Sequence, residues 1–233
     1  MDKTIKEEIA KLFNNPDREN FRELLQNITG EYDELEFKGQ YIEDTKLAKH
    51  ILAMANSGRG IIIFGISEED GSVKPKGLDD LKDKTIIKNK LESYFPFELK
   101  YEIHDIEYND SAEWDAVKNK KFQFITIEEN LNNIPFLSMK DGKHLKANTV
   151  YCRKNGSSDE ASHDDLNDII NRRITNTIEE NNLKTDLKQL ETICSFLTFP
   201  KKMYYTTMNP EFLSALNEIK NIKLKIVGDK IKS

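Results

Sequence analysis

The chain has 233 residues, which suits one domain with an appendage or two small domains. Its net charge of −6 argues against an all-round electrostatic attraction to nucleic acid, although a local basic patch would still bind one. Two distant cysteines, Cys152 and Cys194, argue against a disulfide framework or a structural zinc site, and no apolar run reaches the length of a membrane span. We therefore expect a cytoplasmic protein with no membrane partner.

The first 29 residues predict a helical segment. Ile5, Ile9 and Leu12 recur at helical spacing, the run 14–17 interrupts the pattern, and a second helix then continues to a stop at Gly30. This segment precedes the first predicted strand.

A short strand at 34–38 follows. Its period-two alternation puts Leu35 and Phe37 on one face and Glu36 on the other, so we expect Glu36 to point away from the core.

A helix and a central strand come next. Asp44 is expected to cap a helix that continues to Ala55. The uninterrupted apolar run Ile61–Phe64 predicts a strand buried on both faces by helices. The later predicted elements are a helix at 78–94, strands at 99–106, 121–127 and 149–153, and helices at 163–180, 187–199 and 210–222. The strand at 149–153 is expected to be the last strand of the main domain.

These elements predict an α/β (α+β) fold, with a mixed β-sheet flanked by helices and a small, mostly helical C-terminal extension. We divide the chain into an N-terminal helical segment (1–29), a main domain (30–180) and the extension (181–233).

Three acidic residues, Glu31, Glu36 and Glu68, stand at the two ends of the strand–helix–strand run. If the two strands are neighbours, the carboxylates converge, and converged carboxylates repel unless a divalent cation or shared protons neutralise them. One hypothesis is therefore a site for metal-assisted phosphodiester cleavage. The alternative is that all three are ordinary solvated carboxylates in a chain with 41 Asp and Glu residues.

Four blocks of sequence in this order resemble the Schlafen-type AlbA_2 domain, over about residues 30–162. The blocks are Glu31-x4-Glu36-Phe37-Lys38, Ala53-Met-Ala-Asn56-Ser57-Gly58-Arg59-Gly60, Ile61-Ile-Ile-Phe-Gly65-Ile-Ser-Glu68 and Val150-Tyr-Cys-Arg153-Lys154-Asn-Gly156-Ser157-Ser158.

The resemblance implies that Glu31, Glu36 and Glu68 bind Mg²⁺ or Mn²⁺ and cleave structured RNA, notably tRNA. The third acid of the family is more usually Asp, so Glu69 and Asp70 are alternatives to Glu68. The implied function is a metal-dependent endoribonuclease that acts as a toxin or an anti-phage defence effector. The alternative is a non-catalytic nucleic-acid-binding or nucleotide-binding regulatory module. The chain has one lobe of the family's groove, so a homodimer would supply the second wall.

Four basic residues complete the predicted site. Lys38 is expected to stabilise a phosphate oxygen, or else to form a salt bridge with a neighbouring glutamate. Arg59 splits two glycines that are adjacent in the family and faces either a nucleic-acid backbone or solvent in a turn. Arg153 and Lys154 either position the substrate or cap the next helix. The histidines lack metal-ligand spacing and are expected to be structural or surface residues: His50, His104, His144 and His163.

Overall fold

A computed structural model of the chain describes residues 3–28, 32–69 and 72–197, with the backbone alone for residues 3, 4, 69 and 190–197. Its helices and strands, in chain order, are α1 (Lys3–Asn14), α2 (Arg18–Asn27), β1 (Leu35–Lys38), α3 (Asp44–Ser57), β2 (Gly60–Phe64), β3 (Ile66–Glu69), β4 (Ser72–Pro75), α4 (Lys84–Leu91), β5 (Tyr101–Glu107), β6 (Lys121–Ile127), β7 (Tyr151–Lys154), β8 (Ser157–Glu160) and α5 (His163–Leu197). Short 3₁₀ turns occupy Glu92–Tyr94 and Asp115–Val117.

The main sheet has four strands in the order β1-β2-β6-β5. β1 runs parallel to β2, whereas β6 is antiparallel to both β2 and β5. Two separate hairpins, β3–β4 and β7–β8, accompany this sheet. The predicted mixed sheet flanked by helices is therefore confirmed.

The sheet separates two apolar layers. Every residue of β2 is buried, and its side chains alternate between the layers. Ile62 and Phe64 pack with α3 and α4, while Ile61 and Ile63 pack with α1 and α2. The prediction of a central strand covered on both faces is thus confirmed.

Two N-terminal helices are present within residues 3–28 as predicted, whereas the predicted stop at Gly30 lies outside the described residues. α1 and α2 meet at the predicted interruption, where the side chain of Asp17 accepts a hydrogen bond from the backbone N–H of Asn20 at 2.9 Å and so caps α2.

Two helix starts were predicted wrongly. Asp44 is the first residue of α3, and the capping position is Glu43, which makes no side-chain capping bond. The helix predicted from residue 78 begins at Lys84, because Asp83 caps it by accepting from Thr85 and Ile86, while Leu78 pairs with Lys121 beside the sheet.

The prediction that Glu36 points away from the core is also wrong. Glu36 does lie on the face of β1 opposite Leu35, but residues of α3 and β7 cover that face, so its side chain is only 10% exposed.

The last two elements predicted for the main domain differ from those of the structure. β7 is followed by a further strand, β8, and the helix predicted at 163–180 is the first part of α5, which continues to Leu197. The chain divides into two compact units, Met1–Glu179 and Glu180–Ser233. The three-part domain division stays a prediction, and the predicted helix at 210–222 lies outside the described residues. None of the helices in the described ranges is both long and apolar enough to cross a membrane.

Candidate functional site

The buried carboxylate of Glu36 is the centre of a polar cluster between β1, α3 and the β7–β8 hairpin. Arg153 Nη1 donates to Glu36 Oε2 at 2.6 Å, and Lys38 Nζ donates to Glu36 Oε1. His50 Nδ1 lies 3.9 Å from Glu36 Oε2. Each carboxylate oxygen of Glu36 therefore already accepts a hydrogen bond from a cation, and such charge-assisted hydrogen bonds are stronger than neutral ones.

Arg153 is fixed by more than this ion pair. Its side chain is 1% exposed, and it also donates to the backbone oxygens of Asp33 at 3.1 Å and Leu35 at 3.4 Å. Nη1 is additionally 3.1 Å from Ser158 Oγ. The guanidinium therefore ties β7 to β1 and to the turn before it.

The electrostatics of the cluster favour an ionised Glu36. Burial by itself raises the pKa of Glu36, but the proximity of His50, the hydrogen bond and charge of Lys38 and the charge of Arg153 together lower it below its ordinary value. Burial lowers the pKa of His50 to about 4, so His50 is neutral near pH 7. Two cations then surround one carboxylate, and the cluster carries a net positive charge.

His50 belongs to this cluster although it was expected to be an ordinary structural or surface residue. Its Nδ1 is 2.9 Å from Ser158 Oγ, while its Nε2 is buried and has no hydrogen-bond partner among the described residues. The sequence contained one signal that places His50 near the predicted site. His50 lies on α3 about two turns before Ser57, so the two residues share one face of the helix.

The Asn56–Gly60 motif has a structural role at the end of α3. Asn56 Nδ2 donates to the backbone oxygens of Phe136 and Tyr151, each at 2.9 Å, and Asn56 Oδ1 accepts from the N–H of Phe136 at 2.7 Å. Ser57 Oγ accepts from the N–H of Arg153 at 2.8 Å. The motif therefore joins α3 to β7 and to the segment before it.

The two residues after Gly58 have separate environments. Gly60 passes so close to α3 that a β-carbon there would lie 2.3 Å from Met54 Sδ, which only glycine avoids. The guanidinium of Arg59 lies 5.3 Å from the ring centroid of Phe13 on α1, away from the Glu36 partners.

Of the remaining predicted site residues whose side chains the structure describes, Glu68 and Lys154 make no contact with this cluster. Glu68 is exposed on β3, where it pairs with Val73 of β4. Lys154, the neighbour of Arg153, turns to the other side of β7 and forms a 2.5 Å ion pair with Asp165 of α5. Glu31 and Asp70 lie outside the described residues, and of Glu69 only the backbone is described.

The described residues do not form a ready site for the predicted Mg²⁺ or Mn²⁺. Within residues 3–28, 32–69 and 72–197, no group of three His, Cys, Asp or Glu side chains is arranged to hold a metal ion. The oxygens of Glu36 are engaged by Lys38 and Arg153, and the net positive charge of the cluster opposes a further cation.

A large cavity of about 730 Å³ lies beside the cluster, between the end of α3, β7 and α5. Four carboxylates and two arginines line it, and both arginines are engaged: Arg153 with Glu36, and Arg172 with the backbone oxygen of Asn56. This excess of acidic side chains makes the cavity a poor site for a phosphate group.

Comparison with known proteins identifies a family. The model of the family "Schlafen, AlbA_2" matches residues 31–162, which is more than half of the chain. The solved structure of the DIP2311 protein from Corynebacterium diphtheriae is 16% identical, and the match covers 56% of this chain and 26% of that one with a TM-score of 0.36. The match thus spans about a quarter of the DIP2311 chain. No curated protein matches the sequence.

Proposed function

Because the chain belongs to the Schlafen AlbA_2 family, whose members are associated with nucleic acids, we propose that it binds structured RNA, with tRNA as the first RNA to test. The observation that carries this proposal is the excess of positive charge in the Glu36 cluster, where Lys38 and Arg153 face a single carboxylate. A net positive cluster attracts phosphate and repels a free divalent cation.

Lys38 is the member of the cluster that is suited to contact RNA. Its side chain is 23% exposed, whereas Arg153 is almost completely buried. Phosphate groups of RNA would approach the ammonium of Lys38, while Arg153 keeps Glu36 in place. Contacts of this kind position the ligand and are independent of base sequence.

The test is the affinity of the protein for tRNA, measured by fluorescence anisotropy over a series of salt concentrations. Lys38→Ala should weaken binding of different RNAs about equally and lower the slope of log K against log salt by about 1. The fold should persist, because Glu36 keeps Arg153 as its partner. Lys143→Ala is the matched control, since Lys143 forms an exposed pair with Glu43.

Two results would overturn the proposal. The first is a wild-type protein that binds no RNA even at low salt. The second is a folded Lys38→Ala variant with the same affinity and salt slope as Lys143→Ala.

The second candidate function is a metal-dependent endoribonuclease. It is favoured by the Glu31-x4-Glu36 spacing and by the match to the family. The described residues do not fit a metal ion, so we derive no catalytic step from them. For this candidate function, Glu31 and an acidic residue from the β3–β4 turn would have to supply the metal ligands that the described part of the site lacks.

Incubation of tRNA with the protein in Mn²⁺ or Mg²⁺, with EDTA as control, separates the two candidates. Glu68→Ala is the most informative variant, because an exposed side chain is removed without loss of packing. Glu36→Gln is preferable to Glu36→Ala, because it preserves an acceptor for Arg153. Fragments that disappear with EDTA and in the Glu31→Ala and Glu68→Ala variants would establish the nuclease. Intact tRNA in the presence of a protein that binds it would support the binding module.

A further inference from the structure

A largely exposed aromatic ring lies on the segment between α4 and β5. Phe97 is 86% exposed, the highest value of any large hydrophobic residue in the described parts of the chain. Burial of a side chain of this size stabilises a fold, and the exposed Phe97 ring lacks the stabilisation that burial gives its neighbour Phe95. Phe95 is buried and packs edge-on against Tyr101, with ring centroids 5.6 Å apart.

Phe97 borders a cavity of about 380 Å³, which we call the Phe97 pocket. It lies between the end of α4 and the start of β5, and Phe95 and Tyr101 form part of its wall. This volume is in the range of small-molecule sites in proteins. The hydroxyl of Tyr101 carries its proton at neutral pH, as an ordinary tyrosine does, and burial raises its pKa further, to about 12; it can therefore donate a hydrogen bond.

The charges of the Phe97 pocket favour an anion. Its charged side chains are Lys88, Lys100 and Glu92, which leaves one positive charge in excess. Lys100 Nζ donates to the backbone oxygen of Phe97 at 3.0 Å and lies 4.2 Å from the centroid of the Phe97 ring. The ammonium is therefore held over one face of the ring, and most of the ring surface, which includes the other face, stays open to solvent.

We propose that the Phe97 pocket binds one unpaired base of an RNA ligand. The base stacks on Phe97, and Lys88 and Lys100 contact the phosphates on either side of it. A nucleotide combines a π-face with negative charge, which is what an exposed ring beside two lysines complements. A purely apolar partner surface would instead desolvate the Lys100 ammonium without pairing it.

This inference rests on the proposed RNA-binding function and narrows the ligand to RNA with an unpaired nucleotide. It also adds a second contact region, because the residues of the Phe97 pocket are distinct from those of the Glu36 cluster. The two regions can be tested separately, since no residue belongs to both.

The test compares two RNA hairpins, one blunt-ended and one with a single-stranded 3′ extension that carries 2-aminopurine. Phe97→Ala should weaken binding of the extended hairpin by about 5- to 150-fold, the range for loss of one base–aromatic stack. Binding of the blunt hairpin should be unchanged. Phe97→Trp should retain both the affinity and the quenching of 2-aminopurine. Ile86→Ala is the matched control, because Ile86 is an exposed hydrophobic residue of α4 outside the pocket.

Equal binding of the extended hairpin by wild-type protein and Phe97→Ala would overturn this inference and leave the proposed function intact. Absence of binding to both hairpins would overturn both. Light scattering adds a third outcome: a wild-type dimer that Phe97→Ala converts to a monomer, with RNA affinity unchanged, would make this surface an interface between two copies and would also overturn the inference.

Discussion

Replacement of Arg153 by Met should destabilise the protein by about 3–5 kcal/mol, the cost of breaking a buried ion pair from one side. The side chain of Arg153 is 1% exposed, and its substitution removes the 2.6 Å bond to Glu36 and the donors to two backbone oxygens. Glu36 would keep Lys38 as its only close cation, because His50 is neutral near pH 7.

A double-mutant cycle tests whether the cost comes from the unpaired charge. Glu36→Met alone should destabilise the protein by a similar amount, since it leaves Arg153 buried without its carboxylate. The double variant Glu36→Met/Arg153→Met should be clearly more stable than the sum of the single effects predicts. Glu43→Gln, which breaks an exposed pair with Lys143, is the control and should leave the stability close to that of the wild-type protein.

Urea unfolding followed by tryptophan fluorescence is a suitable assay. Trp114 is the only tryptophan of the chain and packs against the apolar layer of α1 and α2, so its signal reports the unit that contains the Glu36 cluster. A loss of less than about 1 kcal/mol in either single variant, or additive effects of the two substitutions, would mean that an unpaired buried charge is not the cause of the destabilisation.

Three further variants test the surroundings of the cluster. The pKa of His50 falls from its ordinary 6.5 to about 4 on folding, so between these pH values the unfolded chain binds one more proton than the folded chain. The free energy of unfolding should therefore rise by roughly 3 kcal/mol from pH 4 to 6.5. His50→Gln should flatten that rise in urea titrations at several pH values. Gly60→Ala should cost about 1–3 kcal/mol in the same assay, because its β-carbon meets Met54. Asn56→Ala should cost at least about 2 kcal/mol, because it leaves buried backbone groups of Phe136 unpaired.

Each of these has a clear contrary result. A pH dependence of stability that survives in His50→Gln but disappears in the control variant His144→Gln would mean that His50 does not cause it. Gly60→Ala with wild-type stability would mean that Met54 moves aside at no cost. Asn56→Ala with wild-type stability would mean that the polar groups at the end of α3 find other partners.

The sequence predicted the sheet well because its signals there are local. The uninterrupted apolar run Ile61–Phe64 has no polar face, so a strand formed by it must be buried on both faces. β2 is buried in this way. The error at α4 arose from apolar residues at helical spacing, Leu78 and Leu81, which precede the helix. Asp83, a preferred capping residue, was the local signal that marks the start.

The hairpin β7–β8 had a stronger signal that the sequence interpretation did not use. Asn155-Gly156 joins the two strands, both residues have positive φ (49° and 78°), and this dipeptide is the typical two-residue hairpin turn. The polar sequence Ser157–Glu160 concealed the strand, because only Ser158 is buried in it. Recognition of the turn would have placed Ser158 opposite Arg153 and so near Glu36.

The burial of Glu36 could not be predicted from local pattern. Alternation along β1 assigns Glu36 to a face of the sheet, but the cover of that face comes from His50 and from Arg153, which is 117 positions away in the chain. A period-two pattern therefore specifies which side chains share a face and does not specify which face is open to solvent.

Lys38 distinguishes between the two candidate functions, because they make opposite demands on it. Arg153 cannot leave Glu36 without also giving up two backbone acceptors, whereas the partly exposed Lys38 can turn outward. A phosphate that approaches Lys38 gains from its charge and leaves the ion pair of Glu36 and Arg153 undisturbed. A divalent cation that binds Glu36 must first displace Lys38 and then tolerate the charge of Arg153. The lysine that favours RNA binding therefore opposes metal binding at the same carboxylate.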